Sequence, residues 1–280
     1  MAVNLKTDPL VFSEGFERFG NLVFQNCRSL TGEVVLPSTI KEIGDGAFFC
    51  SKISSINLPE GLEKIGDAAF YACRLKEVWI PNSCQTIAGT NTFQQNYPLK
   101  KIHLPEGLGR IPSCFANDCW DLQEVNIPST VKSIDRAAFE QCESLKKINL
   151  PNGLETIERE AFYHCDSLEQ IIFPATLNFL GQECCSYMPG LKRIYCMSSE
   201  PPVCKESTLN PGNSPFGKYN SDFYLRTPND IPIYVPIGAA EKYRNAWGWD
   251  YFTNFIETDD FPTAIHNVTT EHYDSKNCVY

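Results

Sequence analysis

The feature that most constrains this chain is a repeat. An apolar residue followed by proline recurs at Leu36-Pro37, Leu58-Pro59, Ile80-Pro81, Leu104-Pro105, Ile127-Pro128, Leu150-Pro151 and Phe173-Pro174, at intervals of 22 to 24 residues. Counting from each proline, the third residue is Ile40, Leu62, Cys84, Leu108, Val131, Leu154 or Leu177, and the sixth is isoleucine or leucine in every copy, from Ile43 to Leu180. A small residue and a phenylalanine follow, as Ala47-Phe48, Ala69-Phe70, Thr92-Phe93, Cys114-Phe115, Ala138-Phe139 and Ala161-Phe162, with Cys184-Cys185 in their place once. A unit this short cannot bury its own apolar edge, so the copies must stack and share one continuous core.

Each unit closes on a segment such as Leu145-Lys146-Lys147-Ile148-Asn149-Leu150-Pro151. Its alternation and β-branched residues predict a short strand that the proline ends. The other apolar positions, three or four apart, also fit one helix per unit, which would make an α-solenoid. Prolines in every unit and glycines such as Gly44 and Gly66 between the apolar positions weigh against that alternative.

Together, the Leu-x-x-Ile-x-Leu core, the proline and an Ala-Phe-x-x-Cys signature resemble the BspA-like branch of the leucine-rich repeats over about residues 22 to 197. The expected fold is an α/β repeat: a leucine-rich-repeat solenoid with a parallel β-sheet on its concave face, about eight repeat strands, and a C-terminal cap strand and helix. Ile233-Tyr234-Val235-Pro236, Tyr243 and Trp247-Gly248-Trp249 are similar to the closing strand and helix of such proteins. The expected divisions are an N-terminal cap over 1–21, repeats over 22–197, a proline-rich loop insertion over 198–230, a capping strand and helix over 231–257, and a loose tail over 258–280.

Lysine and arginine number 24 against 34 aspartates and glutamates, a formal net charge of −10. That balance argues against nucleic acid or an anionic membrane as the main partner. No run approaches the roughly 18 apolar residues a spanning helix needs. The opening Met1–Pro9 lacks a signal-peptide pattern. The family resemblance implies a cell-surface or secreted bacterial protein; a cytoplasmic location is the alternative.

Thirteen cysteines are an odd number and follow the repeat. Cys27, Cys50, Cys73, Cys142 and Cys165 share one position and Cys119 lies within one residue of it, so free, buried thiols are expected rather than a disulfide framework. No paired Cys-x-x-Cys motif has zinc spacing, and His164-Cys165 is the one close His/Cys pair, so neither metal nor cofactor is expected. The vicinal Cys184-Cys185 could instead form a redox pair, with packing the preferred reading because the two replace an Ala-Phe pair.

Within the strand pattern the x positions face outward. One column reads Val35, Asn57, Trp79, His103, Asn126, Asn149, Ile172 and Tyr195, and its neighbour reads Ser55, Glu77, Lys101, Glu124, Lys147, Gln170 and Arg193. Trp79 and Tyr195 are expected to be exposed and the most informative, because aromatics bury much area at low entropic cost. No motif places any of His103, His164, His266 or His272 beside a nucleophile. The expected function is therefore a monomeric, non-catalytic module whose concave face binds a protein, and the family resemblance implies a host-matrix or neighbouring-cell surface protein as that partner. The alternatives are a polysaccharide-active solenoid enzyme, which would need clustered aspartates, and a structural spacer. Charge alternation along Glu77, Lys101, Glu124 and Lys147 favours a protein over a uniform polyanion. Asn267-Val268-Thr269 matches a glycosylation acceptor.

Overall fold

The structure, a computed structural model, describes residues 9–205, 213–218 and 227–262. The readings made for residues 1–8, for His266, Asn267 and His272, for Cys278 and for the end of the tail lie outside these residues.

The chain winds into a parallel β-solenoid of about ten turns, each turn contributing to several hydrogen-bonded sides. On the first side lie the expected repeat strands, from Thr31–Val35 through Glu77–Trp79, Lys101–His103, Glu124–Asn126 and Lys147–Asn149 to Arg193–Cys196. Their burial alternates, so that Val78, Ile102, Val125 and Ile148 point inward and pair in register from turn to turn. Two changes concern the count. Leu10–Val11 adds a strand before the repeats, and the carboxyl end adds Ile233–Pro236 and Phe255–Thr258 where one cap strand was expected. The last escapes the sequence pattern because its outward positions hold Ile256 and its inward anchor is Phe255.

The second side is two successive ladders of two-residue strands, from Arg18–Phe19 to Thr86–Ile87 and from Arg110–Ile111 to Val203–Cys204. In the repeats, its buried member is the isoleucine or leucine six residues after each proline.

The third side corrects the α/β expectation. Where the spacing also allowed a helix in each unit, pairs of left-handed residues four apart recur in successive turns, among them Ala68 with Ala72, Ala137 with Gln141 and Glu160 with His164. Each left-handed residue breaks any helical run and turns amides toward the next turn: Phe48 N donates to Ala69 O at 2.8 Å, Phe70 N to Thr92 O at 3.0 Å and Phe139 N to Ala161 O at 2.9 Å. The helix found among the described residues is the five-residue Ala240–Arg244 near the carboxyl end.

Between the sides runs a column of phenylalanines. Phe48, Phe70 and Phe93 stack face to face with centroids 5.5 and 5.3 Å apart, and Phe139 stacks on Phe162 at 5.7 Å. Phe115 departs. The left-handed residues Cys114 and Asp118 put Ala116 at the phenylalanine place and Phe115 one position early, so Phe115 meets both neighbours edge-on. The pair Cys114-Phe115 is therefore not equivalent to Ala-Phe. The thiol column is corrected in the same way: Cys119 lies in it with Cys73, Cys142 and Cys165, whereas Cys50 occupies a left-handed position and Ser51 takes the inward place.

Part of the stretch read as an insertion extends the stack. Val203–Cys204 pairs with Phe179–Leu180, and the carbonyls of Ser214 and Pro215 accept from Glu183 N at 3.1 Å and Cys185 N at 2.8 Å. These contacts supply the next turn's second and third sides, which a proline-rich composition does not reveal.

Candidate binding face

The first side presents three outward positions per turn. The residue just before each strand is tied to its neighbours too, Lys100 N donating to Lys76 O at 2.8 Å and Gln123 N to Lys100 O at 3.0 Å. Side chains in one column thus sit about 4.8 Å apart from turn to turn.

Trp79, His103, Asn126 and Asn149 are register partners in successive strands. Trp79 is 46% exposed and its ring lies nearly flat on His103, centroids 3.3 Å apart and planes 9° apart. His103 Nε2 meets Glu77 Oε1 at 3.0 Å, back on Trp79's own strand. Three side chains from two turns thereby hold one aromatic surface in place. Ile172 and Tyr195 pair in the later strands, but Tyr195 is half-buried rather than exposed. The cause is Tyr234, its partner in the next turn, whose ring stacks on it with centroids 4.6 Å apart.

In the neighbouring column Lys101, Glu124 and Lys147 are exposed register partners, and Lys101 Nζ lies 3.8 Å from Glu124 Oε2. A depression of about 280 Å³ lies over the paired strands of Asn126 and Asn149, lined also by Gln123, Glu124, Lys146 and Lys147.

Two further aromatics lie beside this face and were not singled out from the sequence. Tyr97 and Trp120 are 42% and 44% exposed, their ring centroids 4.3 Å apart, at the corner where two successive turns approach their strands. The signal was their shared place between the inward Asn96 or Cys119 and the next leucine, a column the strand pattern does not include.

On the third side Glu140 lies near Glu160 and Asp118. Burial, reinforced by Glu160 and Asp118, pushes the Glu140 carboxyl up to about 6 despite Arg136 and Arg159 nearby. The twelve cysteines among the described residues are unpaired. Burial pushes the Cys73 and Cys84 thiols up to about 12. In the column, Cys73 Sγ donates to Phe48 O at 3.2 Å and Cys165 Sγ to Phe139 O at 3.3 Å, each bonding the preceding turn. Cys184 and Cys185 are both fully buried, with their sulfurs 3.9 Å apart. Among the described residues no three His, Cys, Asp or Glu side chains converge as a metal site would require, and no helix is long and apolar enough to cross a membrane.

A family model for the BspA type leucine rich repeat region matches in six copies, over residues 17–145 and 111–203. The chain belongs to the BspA-type leucine-rich repeat family. That membership agrees with the solenoid and with a non-catalytic repeat module. Among solved structures, a leucine-rich repeat protein from Bacteroides ovatus superposes with a TM-score of 0.63 at 22% identity, over 89% of this chain and 60% of that one. A T. pallidum leucine rich repeat protein is 31% identical with a TM-score of 0.51, over 56% of this chain and 76% of its own. A third, from Eubacterium ventriosum, is 27% identical with a TM-score of 0.52, over 55% of this chain and 42% of that one. The chain thus spans less than two thirds of the Bacteroides and Eubacterium proteins. A comparison with curated proteins gives no match.

Proposed function

We propose that this BspA-type chain is a non-catalytic binding module that holds another protein on its strand face at the surface of the cell, centred on Trp79. The observation that carries the reading is the Trp79–His103–Glu77 arrangement: a large ring, 46% exposed, held before any partner arrives. A pre-ordered aromatic loses little entropy on binding, and such anchors dominate interface energetics. Asn126, Asn149 and Lys147 would supply polar contacts around it, with Ile172 and Tyr195 extending the apolar column. In this reading the segments 1–21 and 231–257 close the two ends of the stack and leave the strand face free.

The test is a binding screen of the purified chain against host-matrix and neighbouring-cell surface proteins, with Trp79→Ala beside it and circular dichroism confirming equal folding. The expected result is at least one partner whose affinity falls about tenfold or more in the variant, the range of an interface anchor. Equal binding by the variant would move the site elsewhere. No partner in a broad panel would favour the spacer reading.

A further inference from the structure

We infer that the occupant of the strand face is an acidic protein segment that also carries aromatic or aliphatic side chains; this rests on the binding reading above and adds the partner's chemistry. The formal net charge of the chain is −10. Yet the three outward positions of each of six turns, from Lys76 to Tyr195, hold seven lysines and arginines against three glutamates. The face therefore carries +4 and the remainder of the chain −14.

All three face carboxylates are already engaged. Glu77 lies 3.0 Å from His103, Glu124 3.8 Å from Lys101 and Glu169 2.7 Å from Lys192. Lys76, Lys100, Lys146, Lys147 and Arg193 are exposed and make no ion pair among the described residues. Lys146 and Arg193 act on Glu169 from longer range than Lys192, which hydrogen-bonds it. Lys76 and Lys100, one turn apart, repel each other, as do Lys146 and Lys147 side by side in one turn, and an incoming carboxylate relieves that repulsion. Lys146 and Lys147 border the depression of about 280 Å³ beside Asn126 and Asn149, where an ammonium and amide N–H groups can all donate to one carboxylate.

A second feature narrows the class. The column containing Trp79, Ile172, Tyr195 and Tyr234 runs alongside the cations, two residues along each strand. A sulfated polysaccharide carries its charge evenly along its length and would meet Glu77, Glu124 and Glu169 as well as the lysines. A peptide segment with carboxylates on one edge and apolar side chains on the other matches both columns.

The probes are four fluorescent ligands: synthetic peptides of one length that are acidic-aromatic, neutral-aromatic or basic-aromatic, and heparin. Each is titrated into the full chain at low and at physiological ionic strength, and into Lys146→Glu/Lys147→Glu. Both side chains are exposed, and circular dichroism checks that the variant folds. The expected result is binding of the acidic-aromatic peptide alone, weakened about tenfold or more by charge reversal and weakened further by salt. Equal affinity for the neutral peptide, tighter binding of heparin, or no acidic peptide bound would each overturn the inference. Self-association abolished by the charge reversal would also overturn it, by assigning the face to a second copy. A screened partner that needs Trp79 yet binds the charge-reversed chain unchanged would leave the binding reading standing and remove only the acidic partner.

Discussion

At the scale of single residues, the cysteines show how one side chain serves a stacked fold. Cys73, Cys119, Cys142 and Cys165 each fill a small apolar space and donate a weak bond to the preceding turn, as from Cys119 Sγ to Phe93 O and from Cys142 Sγ to Ala116 O, both at 3.3 Å. Asn96 takes the same place with a stronger donor, its Nδ2 2.8 Å from Phe70 O. The thiol has a liability that the amide lacks, because it can ionise. Burial raises Cys73 from its ordinary value of 9.0 to about 12. Below about pH 9 the thiol is protonated whether the chain is folded or not, and stability does not depend on it. Between about 9 and 12 the unfolded chain loses the proton while the folded chain keeps it, so stability falls as pH rises. Cys73→Ser keeps a donor at this position, as Ser51 does one turn earlier, and should flatten that alkaline decline when denaturant midpoints are measured across the window. An unchanged slope would mean that Cys73 does not titrate on unfolding.

At the scale of the element, the repeat was legible where side-chain chemistry decides the backbone and hidden where it does not. Period-two burial and a terminating proline mark the strands, so Val78, Ile102, Val125 and Ile148 and the columns around Trp79 and Lys101 could be placed from residues alone. The exposure of Tyr195 could not, because the residue covering it, Tyr234, comes from the next strand in space but 39 positions later in the chain. The third side was hidden for another reason. Its left-handed positions are filled by Leu22, Ala68, Cys114, Ala137 and Glu160 rather than by glycine alone, so composition carries no turn signal. The inter-turn hydrogen bonds hold these residues in a conformation that costs a non-glycine residue about 1–2 kcal/mol. Gly46 occupies the same place at φ 57° and Ala68 at φ 49°. Ala68→Gly should then raise unfolding free energy by up to about 1 kcal/mol, the relief of strain offset in part by glycine's greater freedom when unfolded. A loss of stability in chemical denaturation would mean that the hydrogen-bonded side, not the residue's own preference, sets the energy there.

At the scale of the whole molecule, each turn contacts its neighbours, so stability is a sum along one axis and the ends matter most. The third side also has a direction: Phe48, Phe70 and Phe139 all donate toward the carboxyl end. The last turn would therefore present unpaired amides, and Ser214 and Pro215 are what receive Glu183 N and Cys185 N. That short segment is held by Phe216, fully buried with ring centroids 4.9 Å from Trp249 and 4.7 Å from Phe252. The surrounding region is pinned to the same turn, Thr227 Oγ1 donating to Cys185 O at 2.7 Å and Trp249 Nε1 to Pro202 O at 3.1 Å. Phe216→Ala removes a buried ring, a change that costs about 3–5 kcal/mol, and loosens the receiver of both amides. In a one-dimensional stack that loss stays near the end where it occurs. Hydrogen exchange should accelerate at Glu183, Cys185 and the Ile233–Pro236 strand while amides of the Lys52–Asn57 and Glu77–Trp79 strands keep their protection, leaving the Trp79 surface able to bind. Acceleration spread evenly over every turn would show instead that the solenoid opens as one cooperative unit, and that the carboxyl end governs the strand face as well.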